Sequence, residues 1–205
     1  KQQTNQPANQ QGVEERENHY NLSTDSENNM IFSYSFFPFS FISLILFVNG
    51  ILIEKRISNL GHKLPTLESP KGNYVLYTRS GNLIFTAGHL PQPADGEIIQ
   101  GKLGQDVSIE EGYEAAKYAG LNILATLKEA VGDLDKVTRV VKVVGFVSCT
   151  DDFTSQPAVI NGCSDLFGEV FQEKGRHARS AVGTNSLPLN IPVEIEAIFE
   201  VSDDA

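Results

Sequence analysis

The last strand-like segment of the chain alternates so regularly that it constrains the whole fold. Every second residue from Val193 to Val201 is apolar, and the residues between them are mostly glutamates. Because successive side chains of a β-strand point to opposite faces of the sheet, one face of this segment is apolar and the other acidic. The pattern predicts a strand in a sheet that is covered on one face only.

Strand signals lie at four other places, residues 74–78, 82–87, 137–147 and 179–183. The first two flank a short turn that contains glycine, which indicates a β-hairpin. The third is rich in β-branched residues and long enough for a strand that is buried on much of both faces. Asp95-Gly96 indicates another tight turn before residues 97–99.

Two helices are predicted between these strands. Ser108 and Glu111 form a capping box at the start of the first, and Gly132 ends it. The second helix begins at Gln156-Pro157, since proline is tolerated in a first turn. Their apolar stripes recur at the helical period, at Ala116, Gly120, Ile123, Leu127 and Val131 and at Val159, Cys163, Leu166 and Val170. Two helices cover only one face of a mixed sheet of five or six strands, which leaves the other face for solvent or another subunit.

The first 56 residues differ from this α/β domain, which we assign to residues 57–205. Residues 1–29 are polar and are predicted to be disordered. Residues 30–56 begin with an apolar run that is long enough to span about 30 Å of hydrocarbon, although Pro38 splits it. This run is either a targeting leader or membrane anchor, or a translated leader without function. Met30, the only methionine, is favoured as the true start, and a fragment is the alternative.

The compartment depends on that leader. We expect the domain itself to be cytoplasmic, and the protein to be organellar or membrane-anchored if the leader is real. The net charge of −10 disfavours nucleic acid as a partner, because phosphate backbones bind a surplus of Lys and Arg. Cys149 and Cys163 form no disulfide framework and are predicted to be reduced core residues. The four histidines lack the close spacing of a metal site, so no metal is predicted.

Several short motifs occur in a specific order along the domain. They are Gly72-Asn-Tyr74, Ala87-Gly-His-Leu-Pro91, Ala178-Arg-Ser-Ala-Val-Gly183, Leu187-Pro188 and Val193-Glu-Ile-Glu-Ala197. Together they resemble the signature of the reactive intermediate/imine deaminase family (Rid, or YjgF-like). The resemblance implies a chorismate-mutase-like α/β fold and a homotrimer with a site in each cleft between subunits.

The resemblance also implies roles for individual residues. Arg179 matches the arginine that binds substrate, and Glu194 matches the glutamate that handles water. Tyr74 and Asn161 match pocket residues, and Gly88 lies in a matched substrate-binding motif. A guanidinium binds a carboxylate through two parallel hydrogen bonds, and a glutamate can act as a general base towards water.

The implied reaction is the hydrolysis of enamines and imines of the 2-aminoacrylate and 2-iminopropionate type to a 2-keto acid and ammonia, without a cofactor. Ala87 stands where many members have serine, and His89 where many have glutamine, so the side chain of the substrate stays open. Two alternatives remain. One is an endoribonuclease or translation inhibitor, and the other is a non-catalytic trimer that binds a small ligand.

Overall fold

The computed structural model describes residues 52–67, 69–70, 72–203 and 205. They form a five-stranded mixed sheet with two long helices on one face, so the predicted α/β architecture is confirmed. The segment predicted to be disordered, residues 1–29, and the apolar run up to residue 51 lie outside the described residues. Within the described ranges, no helix combines the length and the apolar character needed to cross a bilayer.

The sheet has the strand order β1-β2-β5-β3-β4. Its strands are β1 (Tyr77–Ser80), β2 (Leu83–Thr86), β3 (Val137–Ser148), β4 (Ala178–Thr184) and β5 (Val193–Val201). Strands β3 and β4 run parallel, and the other neighbouring pairs are antiparallel. The hairpin begins at Tyr77 instead of Tyr74, and residues 97–99 do not form a strand.

Helices α2 (Ile109–Val131) and α3 (Gln156–Phe171) cover one face of the sheet. Both halves of the predicted capping box form, since the amide of Glu111 donates to Ser108 Oγ and the amide of Ser108 donates to Glu111 Oε2. Every residue of the two predicted stripes is buried. The helices approach so closely at Gly162 that a side chain there would collide with the carbonyl group of Tyr113.

A short helix, α1 (Leu52–Asn59), precedes the predicted domain start at residue 57 and continues past it. Ile53 and Ile57 are both buried in the main core. The amide of Ile53 donates to Asp135 Oδ1 at 3.1 Å, which satisfies one of the free donors at the start of the helix. The packed domain therefore begins before the predicted boundary at residue 57.

The face of the sheet opposite the helices is only partly buried in one chain. It presents the alternate residues of β5, including Glu194 and Glu196, and apolar side chains of the other strands. These apolar residues are Leu83, Phe85, Val144, Phe146 and Val182, and β5 itself adds Ile198. Among the described residues nothing covers this surface, which we term the uncovered face.

Candidate functional site

Arg179 lies on β4 with its guanidinium directed towards α3. Its Nη1 donates to Asn161 Oδ1 at 2.8 Å and to Ser164 Oγ at 2.9 Å, and its Nη2 donates to the carbonyl oxygen of Pro157 at 3.3 Å. The predicted site residues Arg179 and Asn161 are therefore in direct contact. We term Asn161, Ser164, His177 and Arg179 the arginine cluster.

His177 and Ser164 were not assigned a role from the sequence. Nδ1 of His177 lies 2.6 Å from the carbonyl oxygen of Gly175, and Nε2 lies 3.0 Å from Ser164 Oγ. Burial lowers the pKa of His177, and the charge of Arg179 lowers it further. Only weak signals in the amino-acid sequence point to these two residues. The i, i+3 spacing of Asn161 and Ser164 on one helix is common, and His177 is distinguished only by its position two residues before Arg179.

The contacts of Arg179 leave one edge of its guanidinium available. Nη1 carries two hydrogens, and Asn161 and Ser164 accept both. Within the described part of the chain, Nε has no hydrogen-bond partner. The edge formed by Nε and Nη2 therefore has the fork geometry that matches a planar carboxylate.

Glu194 lies on β5, partly buried on the uncovered face. Its side chain lies directly over Gly88, where an added Cβ would collide with Oε1, so a larger residue there would force the carboxylate to move. Burial raises the pKa of Glu194, and the neighbouring charge of Glu196 raises it further. We term Gly88, Glu194 and Glu196 the glutamate cluster.

His89 anchors the loop that carries Gly88. Its backbone forms an isolated bridge with Ile195, and its ring is buried, with Nδ1 2.7 Å from the carbonyl oxygen of Ala87 and Nε2 2.7 Å from Thr126 Oγ1. Burial lowers the pKa of His89. His89, which stands where many family members have glutamine, therefore connects the loop to helix α2. Its ring points into the protein interior.

Tyr74 is not part of either cluster. Its side chain is 54% exposed and its hydroxyl has no partner among the described residues. The segment that follows it runs beside the Gly88 loop, because the amide of Ala87 donates to the carbonyl of Leu76 at 2.8 Å. Tyr74 therefore lies two residues before a segment that runs beside the loop carrying Gly88.

The two clusters lie on opposite faces of the sheet. Arg179 is in register with Val143, which is buried on the helix-covered face. Glu194 is in register with Phe146 on the uncovered face. Since residues in register point to the same face, one chain does not bring Arg179 and Glu194 into a single pocket.

Three carboxylates elsewhere approach one another closely enough to hold a cation. Oxygen atoms of Glu54, Asp133 and Asp135 lie within 4.8 Å of one another. Glu54 and Asp133 accept the backbone amides of Leu134 and Asp135, and Asp135 accepts that of Ile53. The Nζ of Lys128 lies 3.4 Å from Glu54 Oε1. These bonds attach α1 to the domain, while Oε2 of Glu54 is buried without a hydrogen-bond partner among the described residues.

Comparison with known proteins identifies the fold and its family. A family model described as "YjgF/chorismate mutase-like, putative endoribonuclease" matches residues 54–200. The chain belongs to this YjgF/chorismate mutase-like family. The match begins inside α1, in agreement with the buried position of Ile53, and includes both clusters.

Similarity to individual proteins supports the assignment. The chain is 41% identical to Protein TCP17 of Trypanosoma cruzi, over 74% of this chain and 95% of the relative. A solved structure of a protein of unknown function from Agrobacterium tumefaciens is 43% identical, with a TM-score of 0.70 over 78% of this chain and 99% of that one. A putative endoribonuclease from Shewanella oneidensis is 32% identical, with a TM-score of 0.70 over 73% and 99%.

Proposed function

We propose that the protein hydrolyses 2-imino acids, and the enamines that tautomerise to them, to 2-keto acids and ammonia. The observation that carries this proposal is the guanidinium of Arg179, in which both Nη1 hydrogens are bonded, Nη2 donates one hydrogen to Pro157, and Nε has no partner among the described residues. The edge formed by Nε and Nη2 favours a small planar carboxylate. A 2-imino acid carries its C=N carbon directly beside that carboxylate.

The glutamate cluster supplies the second requirement, a group that handles water. Water attacks the carbon of the protonated imine, a C–O bond forms, and Glu194 accepts the proton that the water loses. The proton then passes to the amino nitrogen. As the C–N bond breaks and ammonia leaves, the hydroxyl oxygen forms the C=O bond of the 2-keto acid and gives its proton to Glu194, which returns it to solvent. A raised pKa suits Glu194 to accept and return a proton near neutral pH, and fixing the substrate contributes much of the rate.

This chemistry requires two copies of the chain. Because the two clusters face away from each other in one chain, the proposed site combines Arg179 of one subunit with Glu194 of its neighbour. The partly exposed apolar residues of the uncovered face provide a surface for that contact. A homotrimer with one site in each cleft meets both conditions.

The direct test measures ammonia release from freshly generated 2-iminopropionate. We expect the wild-type protein to accelerate release well above the buffer rate without added metal or cofactor. A wild-type rate equal to the buffer rate would refute the proposal. Binding of pyruvate without hydrolysis would instead favour the non-catalytic ligand-binding function.

Mixing two inactive variants tests whether the site is shared. We expect Arg179→Ala and Glu194→Gln to be inactive alone, because each lacks one half of every site. In a random equal mixture about three quarters of the trimers contain both variants, and each of these has one intact cleft of its three. The mixture should therefore regain roughly one quarter of the wild-type rate. A mixture with no more activity than its components would show that both residues act within one chain.

Endoribonuclease activity is the second candidate, because the family description and the Shewanella relative carry that name. The acidic balance of the chain opposes it, since a nuclease needs a cationic track for phosphates. The test incubates the purified protein with single-stranded RNA at low and high salt. Cleavage that survives Arg179→Ala would point to a contaminating nuclease, and cleavage that is lost with Arg179 would replace the deaminase proposal.

A further inference from the structure

Three hydrogen bonds in the arginine cluster follow one another in a fixed direction. They run from Arg179 to Ser164, from Ser164 to His177, and from His177 to the carbonyl oxygen of Gly175. A carbonyl oxygen only accepts, so Nδ1 of His177 carries the hydrogen that it donates to Gly175. In the neutral ring Nε2 is then an acceptor, and Ser164 donates its hydroxyl hydrogen to it. Ser164 Oγ is left to accept from Nη1 of Arg179.

We propose that His177 is a positioning residue that sets the carboxylate-binding edge of Arg179 through Ser164. The inference rests on the proposed function, in which Arg179 binds the carboxylate of the substrate. His177 does not touch the substrate. It fixes the direction of the Ser164 hydroxyl, and thereby keeps an oxygen lone pair aimed at Arg179.

Two features of the site favour this role over simple packing. The rings of His177 and Phe167 pack edge to face, with 6.1 Å between centroids, in an orientation in which both nitrogens of His177 have hydrogen-bond partners. Burial and the Arg179 charge both lower the pKa of His177, which keeps the ring neutral and Nε2 an acceptor at neutral pH. Arg179 is the charged group that acts on this ring.

Without the hydrogen bonds that link His177, Ser164 and Arg179, one Nη1 hydrogen of Arg179 loses its oriented acceptor. The guanidinium keeps its charge and its bond to Asn161, but it can turn and present other edges to a carboxylate. The cost is shared by the bound substrate and the transition state, so KM rises while kcat changes little. Losing one oriented hydrogen bond of this kind corresponds to about a 3–10-fold change in affinity.

The test measures pyruvate affinity by calorimetry, and KM and kcat for 2-iminopropionate, in the full chain. We expect Ser164→Ala and His177→Phe each to weaken pyruvate binding and raise KM by about 3–10-fold. His177→Phe keeps the ring contact with Phe167 but has no nitrogen. His177→Gln, which can present an amide oxygen to Ser164, should recover part of the loss.

A double-variant cycle distinguishes an effect of His177 that passes through Ser164 from two independent effects on Arg179. If His177 acts through Ser164, the double variant Ser164→Ala/His177→Phe binds pyruvate no worse than Ser164→Ala alone. A loss equal to the product of the two single losses, or a His177→Phe variant that binds like wild type, would overturn the inference. Asp165→Asn, the next residue on α3, whose carboxylate accepts from Tyr113, is the control and should be silent.

Two readouts keep this inference separate from the proposed function. A wild-type protein that binds pyruvate with this variant pattern but releases no ammonia would refute the deaminase and leave the positioning role. An active wild-type protein whose single variants keep their affinity would refute only the positioning role. If His177→Phe does not fold, His177→Gln in the Ser164→Ala background replaces it, and any further loss there contradicts the inference.

Discussion

The arginine cluster and the glutamate cluster differ in how completely one chain builds them. Nη1 and Nη2 of Arg179 together make three hydrogen bonds to residues of α3, and a fourth bond connects Ser164 to His177. Glu194 has no hydrogen-bond partner among the described residues, and the charge that raises its pKa is the like charge of Glu196. The first cluster is organised before any ligand arrives, whereas the second is poorly solvated and unpaired.

The contrast suggests a division of labour. An arginine held by neutral acceptors keeps its full charge and a fixed direction, which suits it to binding. A carboxylate that is partly buried beside another acid gains by accepting a proton, which suits it to proton transfer. Variants of the two clusters should therefore fail in different ways.

The largest effect is expected from Arg179→Ala. Each hydrogen bond to a charged group is worth about 1.5–3 kcal/mol, so losing two lowers kcat/KM by about 10²–10⁴-fold. Arg179→Lys should recover little, because an ammonium does not reproduce the planar fork. Arg176→Ala is the matched control, since that side chain is exposed. Steady-state kinetics with 2-iminopropionate measures all three variants, and full activity of Arg179→Ala would rule out carboxylate binding by Arg179.

Glu194→Gln should mainly affect the rate. We expect kcat to fall by about 10²–10⁴-fold, as for loss of a general base, while pyruvate affinity stays near that of wild type. Calorimetry and kinetics on the same preparation separate the two quantities. If Glu194→Gln instead weakened pyruvate binding as much as Arg179→Ala, the division of labour between the clusters would be wrong.

Val182→Asp tests whether the clusters need a second subunit. Val182 is 45% exposed on the uncovered face, and burying a new charge in a subunit contact costs several kcal/mol. We expect sedimentation to show a trimer for wild type and a smaller species for Val182→Asp, with hydrolysis lost. Leu60→Asp, at 39% exposure beyond the end of α1, is the control. A wild-type monomer at micromolar concentration would contradict both the assembly and the shared site.

Sequence patterns predicted most of the scaffold, because periodicity and capping report local structure. The alternation of β5 and the capping box of α2 are confirmed in detail. Helix α1 was missed because Ile53 belongs to an apolar run that is typical of a leader, and only tertiary packing distinguishes the two. Contacts between distant residues, such as Ser164 with His177, have no local signature.

Sequence patterns also did not predict that the two clusters lie on opposite faces of the sheet. Arg179 and Glu194 both occur in strands, and the face that each occupies follows from strand order and register. The motif resemblance identified candidate residues without placing them on the sheet. Their assigned roles remain predictions, and the structure adds that one chain holds them apart.

Ile53→Ala provides a perturbation outside both clusters. Removing a buried isoleucine side chain lowers the free energy of unfolding by about 2–5 kcal/mol. We expect chemical denaturation to show this loss, while kcat and KM at low temperature stay unchanged. Lys55→Ala, exposed on the same helix, should be neutral. A change in KM for Ile53→Ala would mean that stability alone alters the arginine cluster.

The smallest and most specific effect is expected from Glu196→Gln. The charge of Glu196 helps to raise the pKa of Glu194, so removing that charge lowers the pKa of the general base. In the proposed mechanism hydrolysis requires deprotonated Glu194, so its rate should fall as the pH drops through that pKa. The acid limb of the kcat–pH profile should therefore move to lower pH in Glu196→Gln, while the rate at neutral pH changes little. The salt dependence of the wild-type limb gives a second measure, because screening weakens the repulsion between the two carboxylates. An acid limb that does not move would show that another group controls it, and substrate-assisted attack of water with Arg179 alone would then be the better account.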